Sequence, residues 1–240
     1  MNNLKPSERI LCALDTVDID SACAMAGSLK SYVGGIKLGL EFFSANGPLG
    51  FKKVSANNSN IFLDLKLHDI PNTVAKTIHS LMPLEPKIMT IHTAGGPSMM
   101  KAAAKAATEA ALNIGCQRPI IVGVTILTSL DSDDLNALGY LSNVSIQVVK
   151  LARLAKECGL DGVVCSPLEI KLIKESCGKE FKLVVPGIRP SGSAKGDQKR
   201  VMTPNEAVRL GADYLVIGRP ITQAENPVEA AREIAQEING

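Results

Sequence analysis

Tryptophan is absent from the 240 residues, and phenylalanine and tyrosine bring the aromatic content to only 3%. So few rings leave little surface on which bases could stack. Basic residues never run beyond two in succession, and the formal net charge is +2, so the electrostatic footprint of a nucleic-acid binder is missing as well. The three histidines (His68, His79 and His92) have no HExxH spacing, and the six cysteines contain no CxxC pair. Zinc is thereby disfavoured, and no metal site is expected. Cys12, Cys23, Cys116, Cys158, Cys165 and Cys177 lie mostly among apolar neighbours, which reads as a set of reduced thiols. The longest apolar stretch, near PIIVGVTIL, is far too short to span a bilayer, and the polar start MNNLKPSER has no signal-peptide pattern. A cytoplasmic protein with no membrane partner is expected.

What is present is enough apolar material for a large core, with 45% hydrophobic and 21% charged residues. Eight short β-branched or apolar runs stand out: RILCALD, GGIKLG, NIFLDLKL, KIMTIHT, PIIVGVTIL, GVVCS, KLVVPGI and DYLVIGR. Between and after them lie helical patterns at about 18–33, 41–57, 71–82, 97–113, 143–158, 167–176, 204–210 and 227–238, several opened by Ser, Thr, Asp or Pro. Strand–helix alternation argues for a parallel sheet. Eight such units fit a closed (β/α)8 TIM barrel, an α/β fold formed as a single domain over residues 1–240. An open doubly wound sheet would carry a Gly-rich turn after its first strand, and no GxGxxG follows RILCALD. No composition break or long linker divides the chain.

In a barrel of this kind the chemistry sits at the C-terminal ends of the strands. Residues 62–73, FLDLKLHDIPNT, end the third strand in charge. Alternation along that strand turns Leu63, Leu65 and Leu67 toward the helices and Phe62, Asp64 and Lys66 toward the axis. The same test turns Ile10, Cys12, Leu14, Ile36 and Leu38 outward, leaving Asp15 and Lys37 at the inner mouth. Asp15, Lys37, Asp64 and Lys66 thus gather on one rim, with Asp69 in the following loop. Burying several ions is less favourable than filling the layer with valine or isoleucine, so charge retained there points to chemistry. The segment PGIRPSGSAKGDQKR, 186–200, and the turn VIGRPIT, 216–222, follow strands seven and eight. Those loops commonly bind phosphate, with backbone N–H groups near Gly218 and the forked donor of Arg219 suited to a dianion. The turn HTAGG, 92–96, reads as structural.

Taken together, DLKLHDIPNT, VTILTSL, VVPGIRP and VIGRPIT closely resemble the orotidine 5'-phosphate decarboxylases in their short bacterial form, nearly end to end. The resemblance implies the decarboxylation of orotidine 5'-phosphate to UMP without metal or organic cofactor. It implies Lys66 as proton donor, with Lys37, Asp64 and Asp69 as its charged neighbours. Asp15 and Lys37 would contact the ribose, Thr128 the pyrimidine, and Arg189, Gln198, Gly218 and Arg219 the phosphate. Asp69 and Thr73 would reach into the site of a partner subunit in a homodimer. Carboxylates around Lys66 favour a cation, which argues against a Schiff-base lysine. The chief rival is a sugar-phosphate decarboxylase or synthase of the same barrel group, whose resemblance implies a metal held by a carboxylate on the second strand. That strand offers Lys37, which repels a divalent cation. A catalytically inactive scaffold is a second rival, disfavoured by the intact charged set.

Overall fold

The computed structural model describes residues 4–58, 60–140, 143–190 and 202–240. Eight parallel strands close on one another in sequence order, β1 pairing with β8 to complete the ring. They are β1 (Ile10–Leu14), β2 (Gly35–Gly39), β3 (Ile61–Leu67), β4 (Ile88–His92), β5 (Ile120–Val124), β6 (Gly162–Val164), β7 (Lys182–Val185) and β8 (Tyr214–Ile217). Each corresponds to one of the eight runs read from sequence.

The helices are α1 (Ile19–Leu29), α2 (Leu40–Asn57), α3 (Pro71–Leu81), α4 (Gly96–Ile114), α5 (Ser132–Ala137), α6 (Val144–Glu157), α7 (Ile170–Cys177), α8 (Pro204–Leu210), α9 (Arg219–Thr222) and α10 (Pro227–Asn239). Two of these, α5 and α9, are too short for a helical period to register in the sequence. Their starts follow local chemistry. Asp18 accepts from the Ser21 N–H, Asn226 from the Glu229 N–H, and Thr203 and Glu206 form a reciprocal capping box, each supplying an acceptor that the first helical turn lacks. The long α2 is bent at Gly47, whose φ of +56° only glycine adopts without strain, immediately before Pro48.

Two apolar layers follow from strand alternation. Ile10, Cys12, Leu14, Ile36, Leu38, Ile61 and Leu63 belong to the large core between strands and helices. Leu11, Phe62, Ile88, Val122 and Val184 form a separate cluster inside the barrel, flanked by Val164, Tyr214 and Val216. The expected facing of β1, β2 and the first half of β3 is therefore observed. Side chains fill the lower part of the barrel, so the charged groups can occupy only its C-terminal mouth.

All six cysteines are free. Burial raises the Cys12 thiol to about 12, against the opposing pull of Lys37, and burial likewise pushes Cys165 up. The thiolate is the reactive form. A thiol reagent at about pH 8 should therefore modify the half-buried Cys23 and Cys116 first and reach Cys12 and Cys165 only on unfolding. Peptide mapping of the labelled native protein checks this, and early labelling of Cys12 would contradict the packing of β1.

Candidate active site at the C-terminal mouth of the barrel

Lys37 is the deepest cation of the mouth, 7% exposed, and its Nζ donates to Asp15 Oδ1 at 2.5 Å. The pairing follows from the register, in which Ala13 of β1 lies beside Lys37 of β2 and the chain reaches Asp15 two residues later. Among the described residues Asp15 is the only hydrogen-bond partner of that ammonium, so two of its three donors remain for a bound molecule.

The third strand reaches the mouth differently from a regular strand. From Leu63 to Leu67 it advances four residues while its neighbour β4 advances two, from Met89 to Ile91, so β3 bulges at the rim. Lys66 lies in the bulge with φ of +50°, one of two non-glycine residues with positive φ among those described. Its backbone N–H donates to Thr90 Oγ1 at 2.8 Å in place of a strand carbonyl. The Thr90 hydroxyl in turn donates to Asp64 Oδ1 at 2.9 Å, and Lys66 Nζ donates to Asp64 Oδ2 at 2.8 Å. Both oxygens of Asp64 are thus engaged, one by a hydroxyl and one by an ammonium. Lys66 enters the mouth through the bulge, and not by the simple alternation that the sequence suggests.

The remaining candidates lie around this pair. Asp69, in the loop after β3, is exposed and accepts from the Ile70 N–H at 2.7 Å. It forms no ion pair with Lys66, and among the described residues Asp64 is the one ion-pair partner of that lysine. Thr73 is exposed on the first turn of α3, and Thr128 is half-buried in the Leu127–Leu130 turn after β5, on the same rim by topology. Arg189 is held at the base of the loop after β7 by its N–H to Met202 O, at 3.0 Å, and its Nη1 donates to Ile188 O at 2.9 Å. Gly218 precedes α9, and the exposed Arg219 opens it. Gln198 and the loop 191–201 lie outside the described residues. No group of three or more His, Cys, Asp or Glu side chains suited to a metal occurs among the described residues.

A profile of the orotidine 5'-phosphate decarboxylase / HUMPS family matches residues 8–234. The chain belongs to that family. Among its relatives, the orotidine 5'-phosphate decarboxylase of Paramagnetospirillum magneticum is 50% identical over 95% of this chain and 97% of its own length. That of Moorella thermoacetica is 49% identical over 99% of this chain and 95% of its own. The solved structure of orotidine 5'-phosphate decarboxylase from Lactobacillus acidophilus superposes with a TM-score of 0.85 at 36% identity, covering 96% of this chain and 99% of that one. By that kinship the protein is an enzyme, a decarboxylase of the lyase class.

Two mouth residues of this family member escape a reading of the sequence, Thr90 and His92. Their signal is the parity test applied to one strand more, because Ile88, at the start of β4, points into the barrel, and Thr90 and His92 follow on the same face. His92 is half-buried, with its ring centroid 5.3 Å from that of the exposed His68. The turn HTAGG is therefore part of the mouth as well as a connection.

Burial lowers the pKa of His92 below its ordinary 6.5, aided by His68 and Lys66 and opposed by Asp64. Such a ring contributes stability that is fully present above about 6.5, where folded and unfolded forms are both neutral, and lost as pH falls through the folded value. The variant His92→Gln should accordingly lose less stability than the parent between about pH 7.5 and 5.5 in urea unfolding. Equal losses would show that His92 does not carry this dependence.

Proposed function

We propose that this enzyme converts orotidine 5'-phosphate to UMP in pyrimidine biosynthesis, with neither metal nor organic cofactor, and that Lys66 protonates carbon 6. The observation that carries the reading is the hydrogen-bonded Asp64–Lys66 pair in the mouth of the barrel, in a chain about half identical to relatives named for this reaction. Loss of carbon dioxide breaks the bond between carbon 6 and the carboxylate carbon and leaves its electron pair on carbon 6, with no adjacent electron sink. A fixed ammonium stabilises that pair and then gives it a proton, and the neutral amine regains a proton from water. Preorganised charge of this kind is the largest single source of catalysis in many enzymes. Asp64 crowds the substrate carboxylate, a smaller effect relieved as carbon dioxide leaves.

Asp15 and the two remaining donors of Lys37 suit the ribose hydroxyls, and Thr128 suits the pyrimidine edge. Arg189, Gln198, Gly218 and Arg219 suit the phosphate, because guanidinium forks and backbone N–H groups match its oxygens. A metal-dependent sugar-phosphate enzyme of the same barrel group would require a carboxylate on β2. Lys37 in that place works against it. Free thiols throughout suit a reducing cytoplasm, and no helix among the described residues is long and apolar enough to cross a membrane.

Each site is completed by a second copy of the chain in a homodimer, with Asp69 and Thr73 supplied across a two-fold axis. In support, both residues are exposed, and apolar side chains adjoin the same rim: Ile70 is 66% exposed, Val17 59% and Leu40 54%, in the segments after β3, β1 and β2. Apolar surface gathered around polar groups suits a partner.

The reaction can be followed by the ultraviolet absorbance of orotidine 5'-phosphate with a chelator present throughout. Lys66→Ala should remove nearly all turnover while UMP still binds, since the lysine acts on the developing carbanion. A residual rate above about a tenth, a barrier change under about 1.4 kcal/mol, would contradict its role. Loss of wild-type turnover to the chelator, with recovery on adding magnesium, would favour the metal-dependent alternative.

Subunit sharing has its own test. Lys66→Ala and Asp69→Ala homodimers should each be nearly inactive, whereas a mixed dimer gathers both lesions into one site and leaves the other intact. Random exchange of equal amounts should restore about one quarter of wild-type activity for a closed two-fold pair. Exchange verified by mass without recovered activity would rule out the shared site.

A further inference from the structure

We infer that Thr90 is a positioning residue, whose hydroxyl fixes the Asp64–Lys66 pair in its reactive geometry. The inference rests on the reading of Lys66 as proton donor and deepens it.

Three observations converge on one oxygen atom. Thr90 is 1% exposed, so water cannot substitute for its hydrogen bonds. It lies on β4 between Met89 and Ile91, the two residues that bracket the bulge in β3. Its hydroxyl accepts from the Lys66 N–H and donates to Asp64 Oδ1. A hydroxyl has one proton to give and lone pairs to receive, so a single threonine satisfies the backbone of one residue of the pair and the carboxylate of the other.

The backbone of Lys66 makes this consequential. A left-handed lysine is strained and persists only where its surroundings over-determine it. The Thr90 acceptor replaces the ladder bond that the bulge removes, and the same side chain sets the rotation of the Asp64 carboxylate whose other oxygen holds Lys66 Nζ. Valine in its place would keep the shape and the strand preference but leave an N–H and a carboxylate oxygen without this partner. Lys66 would then be free to relax toward regular strand geometry, carrying its ammonium away from carbon 6. Serine would keep both hydrogen bonds.

Steady-state kinetics on the full-length enzyme with orotidine 5'-phosphate test the idea. Thr90→Val should lower kcat on the order of 10- to 100-fold, the effect of unpairing buried groups beside a charge, with KM changed less than about threefold. Thr90→Ser should stay within about threefold of wild type in kcat. Calorimetric binding supplies a readout that a general packing defect would not reproduce. Thr90→Val should weaken a UMP analogue bearing an anionic oxygen at carbon 6 by a factor similar to the fall in kcat, and leave UMP itself nearly unchanged.

Wild-type kcat in a folded Thr90→Val enzyme would overturn the inference. So would equal impairment of the valine and serine variants, or parallel loss of UMP and analogue binding. Should Thr90→Val fail to fold, Thr90→Ser still decides, because a folded serine variant slowed more than tenfold contradicts a role for the hydroxyl. Turnover retained by Lys66→Ala would instead defeat the underlying assignment of the lysine, whatever the threonine variants do.

Discussion

Closure of the eight strands is the constraint on which the rest of the structure depends. A ring has no edge, so every strand has a neighbour on both sides, and one face of every strand must point into a space too narrow for solvent. Leu11, Phe62, Ile88, Val122 and Val184 fill its lower part. The parallel direction of all eight strands then brings their C-terminal ends to one rim. Asp15, Lys37 and the Asp64–Lys66 pair, well separated in sequence, come to one rim because β1, β2 and β3 are adjacent in the ring.

Charge in this mouth is organised in pairs. Lys37 is almost wholly buried yet directed at Asp15, and Lys66 is directed at Asp64. Removing one partner of such a pair would be far more harmful than never having built it, since a lone buried ion lacks both water and counter-charge. The arrangement therefore holds two ammonium groups in fixed positions. A preformed cationic surface suits a reaction that generates negative charge on carbon, because little reorganisation is needed as that charge appears.

The bulge in β3 adds a second level of control. A regular strand would place the third-strand lysine by alternation alone, whereas here its position depends on a left-handed residue and on a side chain from the neighbouring strand. Strain of this sort is local and the remainder of the barrel compensates for it. His92, continuing the same inward face of β4, has the lowered proton affinity of a ring held out of water, with His68 and Lys66 nearby. The fourth strand is thus a structural support for the third at the level of the mouth.

The sequence by itself determined the eight strands, their parallel order and the identity of the charged residues on the rim. Alternating apolar runs and helix-starting residues are local signals, and parity carries a side chain to the correct face without knowledge of the rest of the fold. Asp15, Lys37 and Asp64 were legible in this way, and Lys66 was legible as to its face. Tertiary structure alone decided the bulge, the left-handed backbone of Lys66 and the role of Thr90, because each depends on what β4 offers to β3 across 24 residues of chain. Nothing near Lys66 in sequence reports a hydroxyl so far along the chain. It also decided the partner of Asp69, whose carboxylate accepts from the Ile70 N–H in the loop after β3. Alternation is a property of a single strand, whereas register and bulges belong to a pair of strands and exist only once the pair has formed.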